Sequence, residues 1–249
     1  NWATIFSQVY YDKVEESIRL ETAGIPVPKW ISLREDEIPD LSGFSDFVVV
    51  KPAASACGAM VRIMRRNRVR WRDLGAEKMR CDNRSLIVQE YIHTGPWPTS
   101  YRVATVFGEP VYMFRAVADR TRRPFDTMLK GSLFFDGRTI VSSGKGCIMD
   151  EEVPDDVIQM GVHVHRAFPD EPFIAADIIR EHETGKLFVL EANTSGWSFL
   201  NTAPIGEKLK REFRIDFVKQ FNAPKAMARG IYSHLCGPCF CREEASING

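Results

Sequence analysis

The sequence predicts an α+β fold in which helices pack on largely antiparallel sheet. Three observations predict it. Two pairs of apolar runs, 101–107 with 111–117 and 173–179 with 187–193, each close around a Gly-containing turn. Helical periodicity dominates 153–168 and the stretches after 206. No internal repeat or low-complexity linker interrupts this order, which fits a mixed domain.

Taken in order, residues 10–23 predict a helix with Val14, Ile18 and Ala23 toward one side. Gly24 stops it, and Ile25-Pro-Val-Pro28 enforces extended chain. Residues 47–51 read as a buried strand ending at Pro52. A small-residue loop, 53–59, leads into a second short strand at 60–64, so the two form a flap. Residues 65–80 are basic and polar, with a short helix at 71–79. Residues 86–92 form a strand and 93–98 a loop, and the first hairpin turns at Gly108-Glu-Pro110. Residues 118–145 are polar, with one strand near 133–135. The helix over 153–168 opens on Pro154-Asp-Asp156, where acids favour the dipole. After the second hairpin, helices follow at 206–213, 215–221 and 226–234.

The chain has 249 residues, 44% hydrophobic and 27% charged, enough for one large domain or two small ones. A formal net charge of zero gives no bulk attraction to nucleic acid or anionic membrane. No apolar run is long enough to span a bilayer, and the N-terminus lacks signal-peptide regions. With no initiator Met, the expectation is a processed chain or a piece of a longer one. Cys57, Cys81 and Cys147 read as ordinary reduced thiols, and the reading is of a cytoplasmic protein.

The second hairpin carries the chemistry. Glu183-Thr184-Gly185 is a three-residue loop. If His182 and Lys186 flank it as a pair, Asp177 sits directly opposite Glu191, and Asn193 shares the face of Glu191. Like charges directly opposed on a sheet are destabilising, and a divalent cation between them removes that cost. Two carboxylates and an amide oxygen suit Mg²⁺ completed by phosphate oxygens and water. The alternative is an edge hairpin with solvated acids, against which the apolar flanks argue.

Two weaker elements precede it. Lys51-Pro52 ends a strand beside Ala-Ala-Ser55-Ala-Cys-Gly58, where an ammonium and backbone N–H groups can meet phosphates, without P-loop spacing. In Gln89-Glu90-Tyr91-Ile92, a strand with a free backbone edge can hydrogen-bond an adenine ring. The whole series is Asp12-Lys13, Ala23-Gly-Ile-Pro-Val-Pro28, Val-Val-Val-Lys51-Pro, Val-Gln-Glu90-Tyr-Ile, Arg102 and Arg115, Asp177, and Leu-Glu191-Ala-Asn193-Thr-Ser-Gly. Over roughly residues 10–200 it resembles the ATP-grasp superfamily, in particular carboxylate–amine ligases related to D-alanine–D-alanine ligase and the glutamate-adding ligases.

The resemblance implies an ATP-grasp fold, two α+β lobes with a nucleotide cleft between them. The lobes would be 1–92 and 93–222, with a C-terminal helix and Cys-containing tail over 223–249. Asp177, Glu191 and Asn193 would hold Mg²⁺, or Mn²⁺, at the ATP phosphates. Lys51 and Lys13 would approach the phosphates, and Ser55 and Gly58 would lie in the loop over them. Gln89, Glu90, Tyr91 and Ile92 would line the adenine cleft. Arg115 would stand beside the reacting acyl phosphate, with Arg102 a second candidate. The implied reaction joins a small-molecule or peptide carboxylate to an amine, and a separate N-terminal domain would supply substrate contacts. Three departures stand out: Thr99-Ser100 where relatives often carry a ribose-binding acid, one Gly in the 53–59 loop, and Ala175 two residues before the metal aspartate.

A kinase acting on an anionic small molecule, and a nucleotide-binding module without turnover, are the alternatives. Arg62, Arg65, Arg66, Arg68, Arg70 and Arg72 fit a solvated flap or an anionic substrate. Arg120-Thr-Arg-Arg123 with Lys130 fits a substrate-facing loop or a surface loop. His163 and His165 do not share a helix face. His234, Cys236, Cys239 and Cys241 are ligand types at zinc-like spacing without a second knuckle, which favours a reduced tail.

Overall fold

The computed structural model describes residues 11–34, 37–54, 61–71, 85–121, 124, 146–194 and 204–236. Two antiparallel sheets carry the fold. The smaller has the order β1 (Trp30–Arg34), β4 (Ser85–Glu90), β2 (Phe47–Pro52), β3 (Arg62–Arg65). The larger has the order β7 (Cys147–Asp150), β6 (Glu109–Ala118), β5 (Thr99–Val106), β8 (Phe173–Arg180), β9 (Leu187–Asn193). β1 and β7 are additions to the sequence expectation. Each is short and lies at a sheet edge, so its apolar pattern is weak. The strand expected near 133–135 and the helix at 71–79 lie outside the described residues, apart from Trp71.

Both hairpins form, with different turns from those expected. Val106 pairs with Glu109, which leaves a two-residue turn of Phe107 and Gly108. Their φ values, 46° and 84°, are the left-handed pair that matches strand twist. In the second hairpin Glu181 N–H donates to Lys186 O (2.9 Å) and Gly185 N–H to Glu181 O (3.0 Å). The loop therefore holds four residues, 182–185, with Gly185 at φ 72°. That pairing alone would slip Asp177 past Glu191 by one residue. A β-bulge corrects the slip: Ile178 pairs with Val189, Asp177 pairs with Glu191, and Leu190 is the extra residue.

Helices cover both faces of the large sheet. α2 (Asp155–His165) buries Val157 and Val164 with Phe168 against Tyr101, Val103, Ile174, Ile178 and Val189. Gly161 allows this approach, since a Cβ there would lie 2.5 Å from Val103 Cβ. The opposite face carries α3 (Pro204–Lys208) and its π-helical extension Leu209–Phe213, then α4 (Phe217–Gln220) and α5 (Ala223–Cys236). Leu209, Phe217, Ala223 and Ala226 meet Ala104, Tyr112, Phe114 and Ala175 there. α5 thus belongs to the core of the large lobe, although the sequence placed 223–249 as a separate segment.

The N-terminal helix α1 (Lys13–Thr22) also departs from expectation. Asp12 caps it, accepting from the N–H groups of Val14 (3.0 Å) and Glu15 (2.9 Å). Its buried stripe is Lys13, Glu16, Ser17 and Leu20, while Ile18 is 52% exposed. Leu20 and the following Ile25 pack into the α2 side of the large lobe, with Ile178 and Val189. The first helix therefore packs on the large sheet, whereas β1 to β4 build the smaller one.

Candidate active site

Strand alternation and the bulge bring Asp177, Glu191 and Asn193 together. Asp177 is buried at 5% exposure and paired across β8–β9 with Glu191. Ala175 pairs with Asn193, two residues along on the same face. Asn193 Nδ2 donates to Ala175 O (3.2 Å) and approaches Asp177 Oδ2 at 3.5 Å. On the other side of β8, Arg102 is the direct cross-strand neighbour of Asp177. It donates Nε to Oδ1 (2.7 Å) and a terminal nitrogen to Oδ2 (2.8 Å). Burial pushes the Asp177 carboxyl up, Arg102 works against that, and Glu191 adds to it. Burial also disfavours the Arg102 charge, but the Asp177 carboxylate outweighs it and holds the guanidinium above its usual range. Arg102 is therefore locked to the candidate metal ligand.

The outer edge of β9 is covered by residues from the front of the chain, which blunts an otherwise open strand edge. Val189 N–H donates to Pro26 O (2.8 Å). Lys51 Nζ reaches the carbonyl of Leu190, the bulge residue, at 3.4 Å. Lys13 Nζ lies 3.2 Å from Glu191 Oε1. Lys51 is 7% exposed, and its ammonium is held below the usual range by burial, with Glu191 opposing and Lys13 reinforcing. Glu16, equally buried, has its carboxyl pushed well up by burial and then by Glu191, with Lys13 and Lys51 opposing. Sequence reasoning missed Glu16. The available signal was its position three residues after Lys13, on the same helix stripe.

Arg115 is not brought to this group. It pairs with Tyr101 on β5, so it lies on the sheet face opposite Arg102 and Asp177. There it holds Asp150 through Nε (2.9 Å) and a terminal nitrogen (2.7 Å), and also meets Glu152. The single-residue parity of β6 decides this, and spacing from Arg102 across an uncertain turn could not.

The expected adenine strand is also different. β4 is paired on both sides, Gln89 with Trp30 and Val49, and Glu90 with Val48. A free edge at these residues is ruled out. Glu90 instead accepts from Ser45 N–H (3.0 Å). Tyr91 N–H continues the pairing by donating to Phe47 O (3.2 Å), and Tyr91 packs with Ile63, Phe47 and Val49. Ile92 follows half-buried, and the next carbonyl, that of His93, accepts from His182 N–H (2.8 Å) of the second hairpin loop. By alternation Phe47, Val49 and Lys51 share one face of β2, so the apolar patch and the buried ammonium look the same way. Ser55 and Gly58 lie outside the described residues.

Among the described residues, no three His, Cys, Asp or Glu side chains form a ready metal cage. The ribbon offers two carboxylates and an amide, and the opposed acids Asp177 and Glu191 fit Mg²⁺ completed by phosphate and water. At the tail, His234 stacks on Phe107 with centroids 4.0 Å apart, Cys236 is exposed, and Cys239 and Cys241 lie outside the described residues. In the basic cluster, Arg66 donates to the carbonyls of Ser42 and Phe44, and Arg65 lies over Phe47. His165 is buried against Thr105 while His163 is exposed, in keeping with their separate faces. No described helix is long and apolar enough to cross a membrane.

No protein-family model matches the sequence, and no curated protein matches it. Solved structures do. A D-alanine–D-alanine ligase from Bacillus anthracis, complexed with ATP, superposes with TM-score 0.55 at 15% identity over 90% of this chain and 67% of its own. The ATP-grasp ligase PsnB, complexed with a minimal precursor, gives 0.51 at 17% over 88% of this chain and 60% of its own. The D-cycloserine synthetase DcsG gives 0.54 at 14% over 80% and 70%. The chain thus spans about two thirds of the length of these structures. Two antiparallel sheets with flanking helices find their counterpart in this group: the chain has the ATP-grasp fold.

Proposed function

We propose that the protein is an ATP- and Mg²⁺-dependent ligase that joins a carboxylate to an amine through an acyl phosphate. One observation carries this reading: Asp177, Glu191 and Asn193 share a ribbon face whose edge meets the two buried lysines Lys13 and Lys51. In this reading Asp177, Glu191 and Asn193 hold the metal. When bound, Mg²⁺ supplies charge neutralisation on the phosphoryl oxygens. Lys51 and Lys13 leave Leu190 O and Glu191 to take up phosphate oxygens, and Arg102 keeps Asp177 oriented. The apolar face of Phe47 and Val49 receives the adenine ring, displacing water from the cleft. A carboxylate oxygen of the acid attacks the γ-phosphorus and ADP departs. The amine then attacks the acyl carbonyl, and inorganic phosphate leaves with the electron pair of the broken C–O bond. Arg115, on the far face, has no part in these steps.

ADP and phosphate release measured against panels of small-molecule and peptide acids and amines tests the proposal. The expected result is release that requires Mg²⁺, an acid and an amine together, and that falls at least about 100-fold in Glu191→Ala. Turnover unchanged in Glu191→Ala sinks the assignment. A stable phosphorylated product formed without an amine would replace the ligase by a kinase on the same scaffold.

A further inference from the structure

Each carboxylate of the β8–β9 ribbon already holds a cation of this chain. Arg102 donates to both oxygens of Asp177, at 2.7 and 2.8 Å. Lys13 Nζ lies 3.2 Å from Glu191 Oε1, and 9% of its side chain is exposed. Lys51, also buried, reaches the carbonyl of the adjacent Leu190 at 3.4 Å. The backbone of Lys13 is fixed as well. It opens α1 behind the Asp12 cap, its N–H donates to Ala53 O (3.0 Å) just past β2, and its carbonyl accepts from Ser17 Oγ (2.7 Å). Further along the same helix, Leu20 packs with Ile178 and Val189 of the large sheet. Lys13 is therefore anchored at the end of the small sheet while its ammonium sits on a candidate metal ligand of the large one.

Charge decides what this arrangement admits. Lys13, Lys51 and Arg102 meet Asp177 and Glu191 here, three cations to two carboxylates. An ionised Glu16, buried on the same stripe of α1, brings the balance only to three against three. The group therefore carries no net negative charge to draw in a divalent ion. An ion arriving alone would add two positive charges and would have to part a largely buried ammonium from its carboxylate. A nucleotide polyphosphate brings the missing negative charge and offers Lys13 a charged acceptor in place of the carboxylate. Lys13 then exchanges Glu191 for phosphate, and Glu191 is left to face the metal. We propose that Lys13 is the resident counter-ion of the ribbon: its pairing with Glu191 excludes a free divalent ion and admits the same ion together with a nucleotide. The proposal rests on the ligase reading for the identity of the ion and the nucleotide; the Lys13–Glu191 pair stands without it.

The test follows Mn²⁺ binding by electron paramagnetic resonance, with and without ADP, in wild type, Lys13→Met and Lys13→Gln. Both variants remove the charge; the first keeps an apolar stem and the second a polar end, so either suffices if the other folds poorly. Without ADP, each variant is expected to bind Mn²⁺ at least about tenfold more tightly than wild type. That gain should vanish when Glu191→Gln is added, which a general loosening of the site would not produce. Metal-free ADP, measured by calorimetry in chelator, should bind about tenfold more weakly in both variants. Wild-type affinity for free Mn²⁺ in a folded Lys13 variant overturns the proposal, and so does a gain that survives Glu191→Gln. If wild type holds Mn²⁺–ADP and only the gain is missing, the counter-ion role fails and the ligase reading stands. If wild type holds no Mn²⁺–ADP, the ligase reading fails and takes the proposal with it.

Discussion

Arg102 and Arg115 sit on adjacent strands of the large sheet, and each grips an aspartate through two guanidinium nitrogens. Their surroundings differ. The Arg102 and Asp177 side chains are 18% and 7% exposed, under the α4 side of the sheet, where Phe114 stacks on Phe217. The Arg115 and Asp150 side chains are 27% and 35% exposed, on the other face and at the short edge strand β7. One residue of strand parity separates a pair that organises a candidate metal site from a pair that pins an edge. Chemical type is alike for both, an arginine gripping an aspartate. What separates them is the face each strand position takes.

The largest expected effect comes from breaking the buried pair. Asp177→Ala leaves Arg102 charged, buried and unpartnered, and should destabilise the protein by about 3–5 kcal/mol in urea unfolding. Replacing both partners, as in Asp177→Leu with Arg102→Met, should recover much of that loss. A single-variant effect below about 1 kcal/mol would show that the pair is solvated after all.

A second effect concerns a base that burial keeps neutral. His165 accepts or donates at 2.8 Å to Thr105 Oγ1, and burial pushes its imidazole down to about 4, helped by His234 and opposed by the Glu171 backbone. A base whose folded value lies below its unfolded one stabilises the fold above the unfolded value. That contribution disappears as pH falls through the folded value. Between about pH 6.5 and 4 the protein should therefore lose up to about 3 kcal/mol through this group. His165→Gln should flatten the profile in that window, and an unchanged slope would contradict the burial argument.

The smallest effect belongs to the exposed pair. Arg115→Ala should change stability by less than about 1 kcal/mol and leave nucleotide binding unaltered. Loss of Mg²⁺–ADP binding in this variant would return Arg115 to the active site and erase the contrast between the two faces.

All the described strands but β1 and β7, both hairpins and the juxtaposition of Asp177 with Glu191 were legible in the sequence, because period-2 alternation fixes faces once a turn is located. The route was legible only in part. The expected three-residue loop is a four-residue one, and the Leu190 bulge restores the register that the loop shifts. Bulges leave no mark in hydropathy, so this pair of offsetting differences could not be read. α1 shows a different limit. Its buried stripe is Lys13, Glu16 and Ser17 with a single leucine, so apolar periodicity points to Val14 and Ile18 instead. A helix that packs its charges inward, onto an active site, inverts the usual pattern. The paired state of β4 was equally hidden, since its partner β1 is a short edge strand.

The most direct test of the central claim replaces Mg²⁺ by Mn²⁺ and follows the bound ion by electron paramagnetic resonance in the presence of ADP. One protein-bound Mn²⁺–ADP signal is expected in wild type, persisting in Arg115→Ala and vanishing in both Asp177→Asn and Glu191→Gln. A signal of wild-type strength in those two carboxylate variants would show that the β8–β9 ribbon is not where the metal–nucleotide complex is held.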